Sequence, residues 1–382
     1  MKIVDVKVRV FNYKSRVSKD SAGHQHGGEP RDAAHAMLTI TADDGSQGHC
    51  FHAAEAIRPF IVEQFLKKAL IGSDPFHREK IWQDLYHRQR GSGQQFSDRA
   101  LAVAELALWD LAGRKLDMPV HKLIGTYRTQ IPAYGSIMCG DEVKGALSSP
   151  DDYANFALKL VARGYKAIKL HTWMPPVARA PDPKRDVAAC AAVREAVGPG
   201  IDLMLDGYHW YSRSEILYIG RELERLHFAW IEEPMDEASI ASYKWLADHI
   251  DVPVLGPESM PGKFRTRAEW AKAEAADMLR AGVFDVGGIG PSLKIAHLAE
   301  SFGMTCEIHG AGVGNLIVAA TVPNCTWFER GLLHPTIDYD EAPAYLHQIH
   351  DPMDKDGFVH ISDRPGLGED INFDYIDNNL IT

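Results

Sequence analysis

The segment YKAIKLH, residues 165–171, is a short apolar run that carries two basic side chains near its end. In a β-strand successive side chains point to opposite faces, so Lys169 and His171 share one face. Helical patterns flank the segment on both sides, and another apolar run, IDLMLDG, follows at residues 201–207. This alternation of short strand and helix predicts a parallel sheet with helices packed around it.

The same alternation recurs through residues 129–350. Eight apolar runs occur there within roughly 200 residues, and helical patterns separate them. The runs are IPAYGSI, YKAIKLH, IDLMLDG, FAWIEEP, VPVLGPES, DMLRAGV, TCEIHG and CTWFER. The pattern predicts a (β/α)₈ TIM-like barrel, in which the C-terminal ends of the strands meet at one open face. A doubly wound open sheet has a similar pattern, but no GxGxxG motif follows a first strand.

Residues 1–128 have a different pattern and predict a separate α+β capping domain. The start, MKIVDVKVRV, alternates valines with charged residues, as a half-buried strand does. A loop rich in Gly, His and Ser is expected over residues 14–34, and DDGS between two extended runs indicates a hairpin. A helix is predicted from Asp98 to Lys115. Residues 351–382 lack the barrel rhythm, and we expect them to return to the cap.

The composition of the 382-residue chain is that of a globular protein, with 45% hydrophobic and 24% charged residues. The formal net charge of −11, without any basic run, argues against a nucleic-acid partner. Five scattered cysteines, without a CxxC motif or a signal-peptide pattern, fit a reducing cytoplasm. The most apolar stretch, GNLIVAATVP at residues 314–323, is too short to span a bilayer, so no membrane role is expected.

Acidic residues end three consecutive predicted barrel strands at equal spacing. Asp206, Glu232 and Glu258 are 26 residues apart, one β/α unit each, and should therefore meet at the open face. Three negative charges in one cleft repel each other unless a divalent cation lies between them, and hard oxygen ligands without cysteine favour Mg²⁺. Glu233 is interpreted instead as a helix cap or a loop residue. Other charged side chains that end strands at this face are Lys169, His171, His309 and Glu329.

Eight segments of the chain carry motifs whose order and spacing are specific only as a set. They are ALWDLAGRKLDMPVHKLIG in the cap, then GYKAIKLH, LMLDG, WIEEP, GPES, DVGGIGPSLKIAHLAESFGM, EIHG and WFER along the barrel. As a set they resemble the enolase superfamily, and within it the mandelate racemase-like group. The resemblance implies that Asp206, Glu232 and Glu258 bind Mg²⁺ and that a proton is removed next to a carboxylate. It also implies that the cap loops, one of which carries His24 and His26, close the pocket.

The resemblance assigns the proton-transfer groups as well, although this chain departs from the group in two places. Relatives usually carry Lys-x-Lys where this chain has Lys169-Leu170-His171, so either Lys169 or His171 is expected to be the base. Lys169 beside a metal site should have a lowered pKa, which suits proton abstraction near neutral pH. A protonated Glu329 and the Mg²⁺ ion would stabilise the enediolate that proton removal produces.

The second departure concerns His309. In the racemases of this group the seventh-strand histidine pairs with an aspartate at the end of the sixth strand, and the matching residue here is Gly282. His309 is therefore expected to lack a carboxylate partner and to act as an acid alone. Asp285 would replace that partner only if the sixth strand ended later than predicted. A racemase with two bases is accordingly disfavoured.

One base and one acid suffice for a dehydratase that removes water from a sugar acid and gives a 2-keto-3-deoxy acid. Tyr208 is a further candidate acid, because some dehydratases of this group carry a histidine there; alternatively it is part of an aromatic pocket wall. The candidate contacts to the substrate are His24, His26, Arg58 and Trp173.

Two other functions compete with the dehydratase. A cycloisomerase or a racemase/epimerase would act on a sugar acid or lactone through the same enediolate, whereas a non-catalytic barrel protein would keep the ligand site for binding alone. For the enzyme we expect a small carboxylate substrate, Mg²⁺ as cofactor, no nucleic-acid or membrane partner and assembly into a homo-oligomer.

Overall fold

An antiparallel sheet of three strands opens the chain in the computed structural model, which describes residues 1–381. Its strands are β1 (Ile3–Lys19), β2 (Gln25–Ala42) and β3 (Gln47–Ala53). β1 and β2 pair along nearly their whole length, so the loop expected over residues 14–34 is wrong, and only residues 20–24 connect the two strands. Polar residues are tolerated there because each strand supplies the backbone hydrogen bonds of the other. The DDGS hairpin joins β2 to β3 as predicted.

Helices of the cap follow this sheet. They are α1 (Pro59–Ile61), α2 (Lys67–Leu70), α3 (Arg78–Arg90), α4 (Asp98–Lys115) and α5 (Val120–Ile124), with a π-helical segment at Val62–Leu66 between α1 and α2. The predicted helix α4 begins after Ser97, whose side chain accepts a hydrogen bond from the backbone N–H of Ala100 at 3.2 Å. Most of α4 is buried, and the backbone of β3 packs directly against it at Gly48, where any side chain would collide with the helix.

Eight parallel strands form the barrel, as predicted. They are β4 (Gln130–Ile137), β5 (Ala167–His171), β6 (Asp202–Asp206), β7 (Trp230–Glu232), β8 (Val254–Leu255), β9 (Leu279–Ala281), β10 (Cys306–Ile308) and β11 (Phe328–Leu333). The hydrogen-bonded order is β8-β7-β6-β5-β4-β11-β10-β9. A parallel bridge between Leu255 and Met278 joins the β8 end of the sheet to the β9 end, which closes the ring.

Helices connect the barrel strands. They are α6 (Pro150–Arg163), α7 (Pro183–Val197), α8 (Arg213–Arg225), α9 (Ile240–Ala247), α10 (Phe264–Ala273), α11 (Val283–Val286), α12 (Ile289–Ser301) and α13 (Val313–Thr321). The short helix α11 was not predicted: the run DMLRAGV leaves the strand conformation after Ala281 and turns at once. This turn changes the position of the residues that follow β9, including Asp285.

Two buried side chains of the cap dock it onto the barrel next to that turn. The indole N–H of Trp82 donates a hydrogen bond to the carbonyl of Gly287 at 2.7 Å. The carboxylate of Glu105 accepts hydrogen bonds from the backbone N–H groups of Ile289 at 2.9 Å and Gly290 at 3.0 Å. Glu105 therefore caps the N-terminus of a barrel helix from the other domain, where its negative charge is favoured by the helix dipole.

The C-terminal residues contact both parts of the molecule. Strand β12 (Phe358–His360) pairs antiparallel with β4 of the barrel. Helix α14 (Phe373–Asn378) then packs near β1, and a bridge joins Phe11 to Leu380, so the last residues complete the cap. Within residues 1–381, no helix combines the length and the hydropathy that crossing a membrane requires.

Candidate active site

The C-terminal ends of the barrel strands bring acidic and basic side chains together. The strand register places His171 of β5 beside Asp206 of β6, and Asp206 beside Glu232 of β7. Glu258 lies in the loop that follows β8. Lys169 lies one inward-facing position before His171, which places its side chain one layer deeper in the barrel. The four strands β5 to β8 therefore contribute one continuous group of polar residues.

Lys169 lies among the carboxylates. Its Nζ is 3.1 Å from Asp206 Oδ2, 2.8 Å from Glu232 Oε2 and 3.1 Å from Glu329 Oε1, and the side chain is only 1% exposed. Burial opposes the charged form, but the attraction of the surrounding carboxylates prevails and raises the pKa of Lys169 well above its ordinary value. The lowered pKa expected from the sequence was that of Lys169 beside a bound metal ion; without the ion, three carboxylates contact one ammonium group and act in the opposite direction.

A second buried cation, Arg280 of β9, also contacts this group and was not predicted. Its Nε lies 2.5 Å from Glu232 Oε1 and 3.6 Å from Glu258 Oε2. Its Nη2 donates hydrogen bonds to Glu329 Oε2 at 2.7 Å and to the hydroxyl of Tyr134 at 3.1 Å. The sequence carried a signal for this residue, since an arginine inside the apolar run DMLRAGV is buried only when it is paired.

The two cations determine the state of Glu329. Its side chain contacts Lys169 and Arg280, and the backbone N–H of Gly310 donates a hydrogen bond to Oε2 at 2.7 Å. Burial alone would raise the pKa of Glu329, but Lys169 and Arg280 hold it well below its usual range. This arrangement favours the ionised carboxylate, whereas the sequence analysis expected the protonated acid.

The carboxylates have the chemistry of a metal site. Within residues 1–381, no three His, Cys, Asp or Glu side chains converge at ligand distance, and Lys169 and Arg280 lie between the acids instead. Even so, Glu232 Oε1 and Glu258 Oε2 are buried and accept no hydrogen bond of normal geometry. Buried carboxylate oxygens that lack a well-formed hydrogen bond call for a cation besides Arg280, and an oxygen-only donor set suits Mg²⁺. The residues present therefore fit a Mg²⁺ ion.

His171 is held on both sides of its ring. Its Nδ1–H donates a hydrogen bond to the carbonyl of Ile137 at 2.6 Å, and its Nε2 lies 3.0 Å from Asp206 Oδ2. Tyr208 packs edge-on against the ring, with centroids 5.9 Å apart. In this arrangement His171 orients Asp206, and it would have to leave that contact to accept a proton from a substrate.

His309 has the carboxylate partner that the sequence analysis did not expect. Its Nδ1 lies 2.6 Å from Asp285 Oδ2, and its Nε2 lies 3.2 Å from Glu258 Oε1. The expectation was based on Gly282, and it is wrong because helix α11 turns Asp285 back toward β10 even though β9 ends at Ala281. A Cβ at position 282 would lie 2.1 Å from Asp285 Oδ2, so the glycine leaves the space that this carboxylate occupies.

The environment of His309 suits proton transfer. Burial opposes its charge, but Glu258 and Asp285 raise the pKa of His309 to about 10. The side chain nevertheless remains 31% exposed. An imidazolium that Asp285 orients through Nδ1, and that is partly exposed, can act as a general acid through Nε2 once a substrate replaces Glu258 there.

Two further residues that were not predicted hold the backbone of Glu258. The carboxylate of Glu237 accepts hydrogen bonds from the backbone N–H groups of Glu258 and Ser259, the latter at 2.8 Å. Arg267 is fully buried and donates to the carbonyls of Glu258 and Met260, the latter at 2.7 Å. These contacts fix a loop that is only two residues removed from a strand and has no regular structure of its own.

The turn of the β1–β2 hairpin covers one side of this group. Asp20 Oδ2 lies 3.1 Å from His24 Nδ1 and 2.9 Å from His26 Nε2. His24 is buried, and its ring packs edge-on against Tyr208 with centroids 4.4 Å apart. Burial raises the pKa of Tyr208 above its ordinary value, so the hydroxyl keeps its proton. A direct contact of His24 or His26 with substrate stays a prediction.

Trp173 and Arg58, two of the predicted substrate contacts, lie away from the carboxylate cluster. Trp173 is fully buried, and its indole N–H donates to the carbonyls of Asp141 at 3.2 Å and Leu147 at 3.0 Å. Its assignment as a substrate contact is wrong, because the ring is fully buried in the core against the segment that follows β4. Arg58 is exposed and lines, with Glu55, a cavity of 310 Å³ that none of the strand-end residues lines.

Comparison with known proteins identifies the class to which this site belongs. The family model described as Enolase C-terminal domain-like matches residues 152–375. The model described as Mandelate racemase / muconate lactonizing enzyme, N-terminal domain, matches residues 26–125. The chain therefore belongs to the mandelate racemase / muconate lactonizing enzyme family of the enolase superfamily, which confirms the resemblance seen in the sequence.

Three individual proteins similar to this chain show which activities occur among its relatives. The crystal structure of D-glucarate dehydratase from Agrobacterium tumefaciens complexed with magnesium is 61% identical, covers 100% of both chains and has a TM-score of 0.99. D-galactarolactone cycloisomerase from Agrobacterium fabrum is 29% identical over 387 residues, 98% of this chain and 97% of the relative. L-talarate/galactarate dehydratase from Salmonella typhimurium is 30% identical over 331 residues, 85% of this chain and 74% of the relative. These relatives have different activities, so similarity alone does not define the reaction of this chain.

Proposed function

We propose that this protein is a Mg²⁺-dependent sugar-acid dehydratase, a lyase that removes water from a sugar acid to give a 2-keto-3-deoxy acid. The observation that carries the proposal is the presence of two proton-transfer groups around one carboxylate cluster. Lys169 and His171 lie on β5, and His309 with Asp285 lies across β4 and β11 from them. The 61% identical D-glucarate dehydratase supports this class of reaction and makes D-glucarate the first substrate to test.

The proposed metal ligands are Asp206, Glu232 and Glu258. Glu232 and Glu258 each have a buried oxygen that accepts no hydrogen bond of normal geometry, and those oxygens would be satisfied by Mg²⁺. When bound, the ion would act as a Lewis acid toward the substrate carboxylate and stabilise the negative charge that develops on its oxygens. Lys169 would then lose its proton more readily, because a cation on the same carboxylates offsets their attraction for the ammonium group.

The reaction needs one proton removed and one delivered. Lys169 or His171 takes the proton from the carbon next to the substrate carboxylate, and both remain candidates. His309 gives its Nε2 proton to the hydroxyl group on the next carbon, the C–O bond breaks and water leaves. The resulting enol tautomerises to the 2-keto acid. Asp285 holds the imidazolium in position through Nδ1 and stabilises its charge.

A cycloisomerase or an epimerase is the second candidate, and the His309–Asp285 pair is the observation that favours it. A histidine with its own carboxylate can accept a proton as well as donate one. His309 would then return a proton to the carbon from which Lys169 or His171 has removed one, on the other face. The D-galactarolactone cycloisomerase relative is consistent with this alternative. The two candidates differ in product, a 2-keto acid against an isomer of the substrate.

The proposal is tested by incubating the purified protein with D-glucarate, galactarate and a panel of other sugar acids in MgCl₂. We expect 2-keto acid formation, loss of turnover in EDTA and recovery with Mg²⁺ or Mn²⁺. Glu232→Ala should lose Mg²⁺ binding in calorimetry, whereas the neighbouring Glu233→Ala should keep it. Full activity in a metal-free preparation would refute the proposal, and an isomeric product without 2-keto acid would select the second candidate.

A further inference from the structure

Arg280 has no part in the reaction proposed above, yet it is buried at the centre of the site. It is the middle residue of β9, between Leu279 and Ala281, and its side chain is fully buried inside the barrel. Burying a guanidinium is costly unless carboxylates or other acceptors compensate it. Its compensating partners are three of the carboxylates that line the candidate active site.

Arg280 and Lys169 share two of these carboxylates. Lys169 contacts Oε2 of Glu232 and Oε1 of Glu329. Arg280 contacts the other oxygen of each, Oε1 of Glu232 and Oε2 of Glu329. The four side chains form a closed ring of alternating charge. Both carboxylates are held at both oxygens, so their rotation is restricted as well as their position.

The charges in this cluster do not cancel. The side chains in contact are the carboxylates of Asp206, Glu232, Glu258 and Glu329 and, in the metal-free protein, the cations of Lys169 and Arg280. The imidazolium of His309 also contacts Glu258, and the charge of its partner Asp285 offsets it. Four negative and two positive charges leave two negative charges, which one divalent cation would balance. We infer that Arg280 is a built-in counter-cation of the metal site: it balances Glu329, holds Glu232 in place and limits the affinity for Mg²⁺. The inference rests on the proposed metal site at Asp206, Glu232 and Glu258.

A fixed positive charge beside metal ligands has two opposite effects. It stabilises the metal-free protein, because buried carboxylates keep a partner when no ion is bound. It weakens Mg²⁺ binding, because the guanidinium and the ion repel each other across a short distance. Removing the charge of Arg280 should therefore destabilise the metal-free protein and tighten its binding of Mg²⁺ at the same time. A residue with only a packing role would change the first property and leave the second unaltered.

The experiment compares Arg280→Gln with Arg280→Lys in the full-length protein. Arg280→Gln removes the charge, and we expect a lower melting temperature in EDTA that saturating Mg²⁺ largely restores. By calorimetry its Kd for MgCl₂ should fall by about tenfold, since the nearest repelling charge is gone. Arg280→Lys keeps the charge but loses the planar fork, and its Kd should stay within about threefold of wild type.

Arg330→Gln is the matched control. Arg330 is a buried arginine of β11 that contacts Tyr165 and Asp340 instead of the carboxylate cluster. Its replacement should lower the melting temperature without changing the Kd for Mg²⁺. If Arg280→Gln alone does not fold, the same substitution is made in Glu329→Gln, where one charge of each sign is absent. There too, Mg²⁺ should bind more tightly than to Glu329→Gln itself.

The outcomes separate this inference from the proposed reaction. A Kd for Mg²⁺ that is unchanged or larger in Arg280→Gln, with normal binding by the wild type, would overturn the inference alone. A wild-type protein that binds no Mg²⁺ would overturn the inference and the metal site together. A tighter Kd in Arg280→Gln, with no turnover of any sugar acid by the wild type, would support the inference and count against the dehydratase.

Discussion

Proton-transfer groups lie on two sides of the open face of the barrel, at the end of β5 and at the end of β10, and their surroundings differ. On β5, Lys169 is almost completely buried against three carboxylates, and both ring nitrogens of His171 face oxygen atoms. Beyond β10, His309 contacts Asp285 through Nδ1 and Glu258 through Nε2, and its side chain is 31% exposed. Both sides contact the carboxylate cluster, but the β5 side chains are almost completely buried whereas the imidazole beyond β10 is partly exposed.

The two sides therefore differ in what has to change before a side chain can transfer a proton. Asp285 orients His309 through Nδ1, and the partly exposed ring can transfer a proton once Nε2 turns from Glu258 toward the substrate. Lys169 and His171 have to give up a contact with a carboxylate as well before either can act as a base, and they are more deeply buried than His309. From the sequence we expected the opposite, a base on β5 with a lowered pKa and an acid on β10 without a carboxylate partner. Because Asp285 contacts His309, an epimerase or a cycloisomerase remains an alternative function to the dehydratase.

The largest expected effect on turnover comes from replacing the proton-transfer residue on one side of the barrel at a time. Lys169→Met should lower turnover by at least about 10³-fold, because proton removal starts the reaction, and should abolish exchange of the C2 proton. His309→Asn should slow loss of the hydroxyl group while leaving some of that exchange. Proton NMR of the substrate in D₂O, followed over time, measures both quantities.

His171→Asn is the matched variant for this experiment. Normal exchange in Lys169→Met together with no exchange in His171→Asn would make His171 the base and Lys169 its electrostatic neighbour. Rapid epimerisation of the substrate by the unmodified protein would show that His309 works as a base too, which contradicts a purely acidic role for the β10 side.

A smaller effect on kcat is expected when the aspartate that contacts His309 is removed from position 285 and introduced at position 282. Asp285→Ala should lower kcat by about 10²-fold, because His309 loses the carboxylate that orients it and stabilises its charge. Adding Gly282→Asp would place a carboxylate at the strand end instead, where the extended backbone, φ −129°, accepts any residue. We expect the double variant to recover at least about tenfold of the loss in steady-state kinetics.

Gly282→Asp alone provides the control for this exchange of positions. It should reduce kcat, because the new side chain would occupy the space of the Asp285 carboxylate. An Asp285→Ala enzyme with unchanged kcat would show that the short contact to His309 has no part in catalysis, and the contrast between the two sides would then be structural only.

The smallest expected effect concerns a buried aspartate behind the β5 side. Asp186 has hydroxyl partners instead of a cation: Tyr211 donates to it at 2.9 Å, and burial raises its pKa from 3.8 to about 7. The folded protein therefore holds this proton more tightly than the unfolded chain, so its contribution to stability falls as pH rises from about 4 to about 8. Asp186→Asn should match wild type in melting temperature at pH 5 and exceed it at pH 8. Equal melting temperatures at both pH values would contradict the raised pKa.

The sequence predicted the fold well because its signals are local. Hydrophobic alternation and helix periodicity marked eight strands and the helices between them. Equal spacing of acidic residues placed Asp206 and Glu232 at the ends of two consecutive strands and Glu258 in the loop after the third. The polar stretch of residues 14–34 was the main failure, since its strand conformation depends on pairing between β1 and β2 and not on its own composition.

The amino-acid order by itself determined the barrel, the family and the identity of the charged residues that end the strands, because each of these depends on residue type and spacing. The tertiary structure alone decided which charges pair. Helix α11 brought Asp285 to His309, the barrel interior joined Arg280 to Glu232 and Glu329, and burial removed Trp173 from the pocket. Such pairings depend on distances between elements far apart in the chain, and the same distances raise the pKa of Lys169 and lower that of Glu329.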